Sequence, residues 1–185
     1  MELYGSKPRK MHDEKGPGRI HVCYGRGVGK TTRTIGLAVR AAGAGLRVHF
    51  VQFMKSGDSG EVEAFRGVPG IRYYCPGVHP FITAGGPDAI HRKHAQKALA
   101  YAREAIDVGT DLLVCDEILN TLLFGVLPLA SVLTLVDRCR GRVELAITGS
   151  DAPEEIILAA DYATEFMQTK HPYYDGVPAR RGIEW

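Results

Sequence analysis

The run Gly25-Arg26-Gly27-Val28-Gly29-Lys30-Thr31-Thr32 constrains this chain more than any other feature, because of what flanks it. An apolar segment, Arg19–Tyr24, reads as a strand before it, and Lys30–Ala44 reads as a helix after it, stopped by Gly43 and Gly45. A loop in that position must turn sharply from strand to helix. Glycine allows the positive φ angles of such a turn and lets backbone N–H groups come close to an anion. A helix starting near Lys30 adds its N-terminal dipole and its unpaired N–H groups. The Lys30 ammonium adds charge, and the Thr31 hydroxyl suits Mg2+. The expected ligand is therefore a nucleoside triphosphate, ATP before others. Gly25, Arg26, Gly27, Val28, Gly29, Lys30, Thr31 and Thr32 are its candidate binding residues.

This is the context a P-loop requires. The match to G-x-x-x-x-G-K-[ST] has one departure, since Tyr24 stands where the pattern has its first glycine. An ordinary glycine-rich turn is the bland alternative, and the strand and helix on either side favour the phosphate loop.

The remaining pattern repeats the alternation of strand and helix. Strands are expected at Leu46–Phe53, Ile71–Cys75, Asp111–Asp116, Val143–Thr148 and Tyr162–Phe166. Helices are expected near Glu61–Arg66, Pro87–Val108, Leu129–Cys139 and Pro153–Ala160, with Pro76–Pro87 and Met167–Trp185 as loops. Apolar strands alternating with helices indicate a mostly parallel sheet covered on both faces. The expected fold is thus α/β, a single-domain P-loop (RecA-like) architecture over residues 19–185, preceded by a flexible arm at 1–18. Ligands of such sheets bind at the carboxyl ends of the strands.

A length of 185 residues fits one domain, and a net charge of +2 offers no basic stripe for a nucleic acid. Lys7, Arg9 and Lys10 form the one basic cluster and read as a solvated tail. No apolar leader or long apolar run marks secretion or membrane spanning. Cys23, Cys75, Cys115 and Cys139 lack metal or redox spacing, so a reducing, cytoplasmic setting is expected.

Asp116-Glu117 closes the apolar strand Leu112-Leu113-Val114-Cys115. Carboxylates at a strand end beside a P-loop can hold Mg2+ directly or through water. With Thr31 they form the candidate metal set, and a helix N-terminal cap is the alternative role for the acids.

Taken in order, the motifs resemble the P-loop family of ATP:corrinoid adenosyltransferases. They are Gly-x-Gly-x-Gly-Lys-Thr-Thr, Arg40-Ala41-Ala42-Gly43, Val51-Gln52-Phe53-Met54-Lys55, Asp116-Glu117-Ile118, Ile147-Thr148-Gly149, Ala160-Asp161 with Thr164-Glu165, Lys170-His171 and Gly182-Ile183-Glu184-Trp185. The resemblance covers about residues 19–185, and that family's loop also lacks the first glycine. It implies transfer of the 5′-deoxyadenosyl group of ATP to a Co(I) corrinoid, with release of triphosphate, in cobalamin synthesis or salvage. Because Co(I) is itself the nucleophile, no protein base is required, and the loop must grip a leaving group. By resemblance, Lys30, Thr31 and Glu117 serve catalysis, Thr31 and Glu117 ligand Mg2+, and Arg40 contacts the nucleotide. The corrinoid is expected over the nucleotide on the loop Pro76–Pro87, against Phe81 first and Tyr74 second. A flavodoxin-like reductant and a homodimer belong to the same resemblance.

The chain also departs from the family. Arg26 and Val28 replace residues usually Asn or Arg and Lys, and Ser150 stands where an arginine usually follows Thr-Gly. Two competing functions stay open at this point: a P-loop phosphotransferase and a nucleotide- or corrinoid-binding protein without turnover. His91 and His94 are three apart on a helix without an evident third ligand, and read as solvated. Lys170-His171 is either near the site or a surface loop, and Trp185 is expected to anchor packing.

Overall fold

The computed structural model describes residues 18–77, 82 and 85–185. Nearly all of the arm expected at 1–18, and Phe81, lie outside the described residues.

Six strands form one sheet: β1 (Ile20–Tyr24), β2 (Val48–Gln52), β3 (Ile71–Tyr74), β4 (Leu112–Asp116), β5 (Glu144–Thr148) and β6 (Tyr162–Glu165). Their order is β3-β2-β4-β5-β1-β6, and every neighbouring pair is parallel. The helices are α1 (Lys30–Gly43), α2 (Gly60–Arg66), α3 (Ala89–Asp107), α4 (Ile118–Leu123), α5 (Leu129–Cys139) and α6 (Glu154–Leu158). The α/β fold with a parallel sheet stands as the sequence implied.

Side-chain alternation along the strands divides the core. On one face, Leu112 and Val114 of β4 pack with Phe50, Ala38 and Ala41 of α1, and Phe65 of α2. On the other, Leu113 and Cys115 pack with Leu99 and Ala102 of α3, and Leu135 and Val136 of α5. Both faces of β4 are therefore dry, and all five of its residues are buried. Each such aliphatic side chain contributes about 1.5–3 kcal/mol on burial. Truncating Leu113, fully buried, to alanine would cost about 2–5 kcal/mol.

Several details differ from the sequence reading. Helix α4 occupies a stretch that carried no helix expectation, since six residues are too few to establish a period. Helix α3 starts at Ala89, because His91 Nδ1 accepts the Asp88 backbone N–H at 2.8 Å and closes its first turn. His91 and His94 are buried rather than solvated. The edge strand β6 is exposed along its length, and the tail carries a 3-10 helix at Pro172–Asp175. Among the described residues, no helix is long and apolar enough to cross a membrane.

Parallel strands all end on one edge. There β1 and β4, separated only by β5, bring the glycine loop and Asp116 together.

Candidate nucleotide site

The glycine loop is shaped in part by its neighbour. Gly25 and Gly29 both have a φ of 107°, but Gly27 does not. A Cβ on Gly25 would stand 2.5 Å from the Phe166 carbonyl oxygen, and one on Gly27 would stand 2.8 Å from the Met167 backbone. The Gly27 N–H donates to Phe166 O at 2.7 Å. So the segment leaving β6 requires two of the glycines. Gly29 instead forms the left-handed N-cap of α1, whose first turn receives no side-chain cap. No acid stands in the first turn at Lys30–Thr32, and an uncapped helix start of this kind suits an anion.

The opposite wall is Asp116, whose side chain is fully buried. Its Oδ1 accepts from the Thr31 hydroxyl at 3.0 Å and from the Thr148 hydroxyl at 2.8 Å. Its Oδ2 accepts from the Lys55 ammonium at 2.8 Å and from Gln52 Nε2 at 3.4 Å. Thr148 in turn accepts the Glu117 backbone N–H at 2.8 Å. Tyr73 donates to Gln52 Oε1 at 2.7 Å, and Gln52 donates to Glu61 at 2.8 Å. A buried carboxylate so surrounded is held in one orientation.

Glu117 lies beside it, half-buried, with a φ of 61°, a left-handed conformation that a residue with a Cβ adopts at a cost of roughly 1–3 kcal/mol. Burial pushes its carboxyl up to about 7, against the pull of Lys55, while Asp116 pushes the same way as burial. Burial also lowers the Lys30 ammonium, partly offset by Glu117 and Asp116, and Lys30 donates to Gly27 O at 2.6 Å. Burial alone would lower Lys55, but Asp116 and Glu117 more than offset it and leave it raised.

Two cavities flank the loop. One, of about 560 Å³, is lined by Thr31, Thr32, Lys55, Glu61, Glu117 and Trp185, among others. The second, of about 580 Å³, lies on the other side against Arg26, Ser150, Phe166 and Tyr174. Trp185, expected to anchor packing, is instead 45% exposed and borders the first cavity.

The structure brings Lys30, Thr31, Asp116 and Glu117 together. Arg26 and Val28 are exposed on the loop. Arg40 sits in the last turn of α1, ten positions beyond Lys30, which is about 15 Å along a helix axis. Tyr74 ends β3 with its ring stacked on Tyr101, centroids 4.3 Å apart. Exposed Lys170 and half-buried His171 precede the 3-10 helix, where His171 Nδ1 accepts the Tyr173 N–H at 3.1 Å. Sequence reasoning quoted Thr148, Gln52 and Lys55 only as members of motifs and gave none of them a role. Gln52 and Thr148 are polar residues at the carboxyl ends of apolar strands and Lys55 lies three residues beyond β2, and that was the available signal.

A parallel sheet with a glycine loop, Lys-Thr at a helix start and a buried acid across one intervening strand defines a P-loop nucleotide-binding protein. The chain belongs to the ATP:corrinoid adenosyltransferase family (BtuR/CobO/CobP), whose model matches residues 16–185. The family's substrates are ATP and a corrinoid, and the chain is accordingly a transferase of cobalamin metabolism. A corrinoid adenosyltransferase of Pseudomonas aeruginosa is 32% identical, over 97% of this chain and 88% of the relative. The corrinoid adenosyltransferase CobA of Salmonella typhimurium is 29% identical, over 100% of this chain and 98% of the relative. That of Escherichia coli K12 is 28% identical, over 100% and 93%.

Proposed function

We propose that the Asp116 cluster and the glycine loop together grip the triphosphate of ATP as a leaving group, while its 5′-deoxyadenosyl carbon passes to Co(I) of a corrinoid. The observation that carries this reading is the 3.0 Å hydrogen bond from Thr31 to Asp116, which ties the loop to the acidic strand end. Attack at C5′ forms a cobalt–carbon bond with both electrons from Co(I) and breaks the C5′–O bond, so the departing oxygen carries the charge. Stabilising that charge is the task left to the protein.

The donor set suits Mg2+. Thr31, Asp116 and Glu117 offer hard oxygens, and no group of three or more His, Cys, Asp or Glu side chains forms an all-protein cage among the described residues. Mg2+ usually binds through one or two carboxylates and substrate phosphates. Thr31 and Glu117 are the proposed direct ligands, because Glu117 lines the cavity whereas Asp116 is fully buried and hydrogen-bonded. Bound there, the ion would neutralise charge on the triphosphate. Lys30, Thr32 and the first-turn amides of α1 are proposed to hold phosphate oxygens.

The corrinoid is proposed to lie over the nucleotide against the loop Pro76–Pro87, with Phe81 and Tyr74 as contacts. A flavodoxin-like electron donor, a homodimer and a cytoplasmic setting complete the reading. The last is supported by Cys23, Cys75, Cys115 and Cys139 all being free thiols.

The test is incubation with Mg-ATP and chemically reduced cobalamin, followed by visible spectroscopy. The expected result is the spectrum of a cobalt–carbon bond. A flat spectrum with ATP binding intact would remove the transfer and leave only the nucleotide site.

A further inference from the structure

We propose that Lys55 holds the metal position between Thr31 and Asp116 before Mg-nucleotide binds, and then turns onto the triphosphate. The inference rests on the proposed metal site and adds a residue that site does not include. The Lys55 ammonium lies 2.8 Å from Asp116 Oδ2, 3.2 Å from Thr31 Oγ1 and 3.9 Å from Glu117 Oε1. Thr31 and Glu117 are the proposed direct ligands of a hard dication and Asp116 stands buried behind them, so an ammonium and Mg2+ cannot share the position.

The chain is built to place this side chain. Met54, immediately before it, has a φ of 51°, and among the described residues only Met54 and Glu117 combine a side chain with positive φ. Strain of this kind persists only where the surroundings enforce it. It stands on either side of the cluster, at the exits of β2 and β4.

Lys55 also borders the cavity that Thr31, Thr32 and Glu117 line, so a rotation of its flexible stem carries the charge toward the phosphates without backbone movement. The loop supplies a reason for a second cation there. Val28 brings no charge to the loop, and its side chain is 70% exposed. Once the dication neutralises Asp116 and Glu117, the released ammonium faces an anion instead of two carboxylates.

The account predicts effects of opposite sign from one substitution. In Lys55→Met, Mn2+ binding without nucleotide, read by the paramagnetic resonance of free Mn2+, should tighten about tenfold, because a competing cation is gone. Binding of Mg-tripolyphosphate, read by calorimetry, should weaken about tenfold in the same variant. Lys55→Arg should keep tripolyphosphate binding within about threefold of the parent. If Lys55→Met does not fold, Lys55→Gln carries the same pair of measurements. Unchanged or weaker Mn2+ binding, or unchanged tripolyphosphate binding, overturns the proposal. A parent protein that does not bind Mg-tripolyphosphate overturns the functional reading, and this proposal with it.

Discussion

On the side of the phosphate loop that faces β4, Thr31, Asp116, Lys55 and Thr148 are partnered with one another and with Asp116 at their centre. On the side that faces β6, exposed Arg26 and Ser150 border an open cavity, and Val28 is exposed at the loop tip. The first side is shaped by burial. Its carboxylate is affordable inside the protein only because four donors surround it, so few substitutions are tolerated. The second side is shaped by close backbone approach at Gly25 and Gly27, while the side chains at its tip point to solvent. This is also where the motifs of the sequence fit the resemblance least. The difference teaches that the grip on Thr31 is part of the fold, whereas the charge at the loop tip can vary without cost to it.

Asp116→Ala should break the contrast most strongly. It strands the Lys55 ammonium and removes the acceptor of Thr31, so a loss of about 3–5 kcal/mol is expected by denaturant titration, together with loss of adenosylation. Retention of near-parent stability would mean that the buried cluster is not what fixes the loop. Next comes Gly25→Ala, where a positive φ and a Cβ 2.5 Å from Phe166 O both oppose the change. A loss of about 1–3 kcal/mol is expected, with a raised KM for ATP. If the variant matched the parent in both, the β6 exit would not be shaping the loop.

Val28→Lys tests the open side. An exposed cation near the phosphates should lower the KM for ATP about threefold at low salt, an advantage that fades as salt is added, with Tm unchanged. An unchanged KM would place the tip too far from the phosphates to matter. The smallest effect is expected for Arg40→Ala, since α1 carries Arg40 to its far end. A change below about twofold in KM follows from a screened separation of about 15 Å. A larger change would support the nucleotide contact that the resemblance implied.

Much of this was legible in the chain because its signals are local. The glycine loop, the start of α1 at Lys30 and the apolar run of β4 can each be read within a few residues. The pairing of Thr31 with Asp116 bridges 85 positions, yet the rule that parallel strands end on one edge anticipated it. What stayed hidden depends on tertiary contact. Lys55 is one member of a motif with no role of its own until β2 is placed beside β4. His91 reads as solvated because helical spacing alone does not say which face of α3 meets the sheet. Trp185 reads as a packing anchor because no local pattern shows that the tail returns to the first turn of α1. Gly27 reads as a phosphate-binding glycine, while the passing backbone of Met167 accounts for it equally well.

The central claim is that the loop and the Asp116 cluster hold a leaving group rather than present a γ-phosphate. Phosphorus-31 NMR of the reaction with Mg-ATP and reduced cobalamin tests it most directly. The account predicts intact triphosphate, one equivalent for each cobalt–carbon bond formed. ADP as the phosphorus product, or cobalt–carbon bonds formed without matching triphosphate, would contradict it.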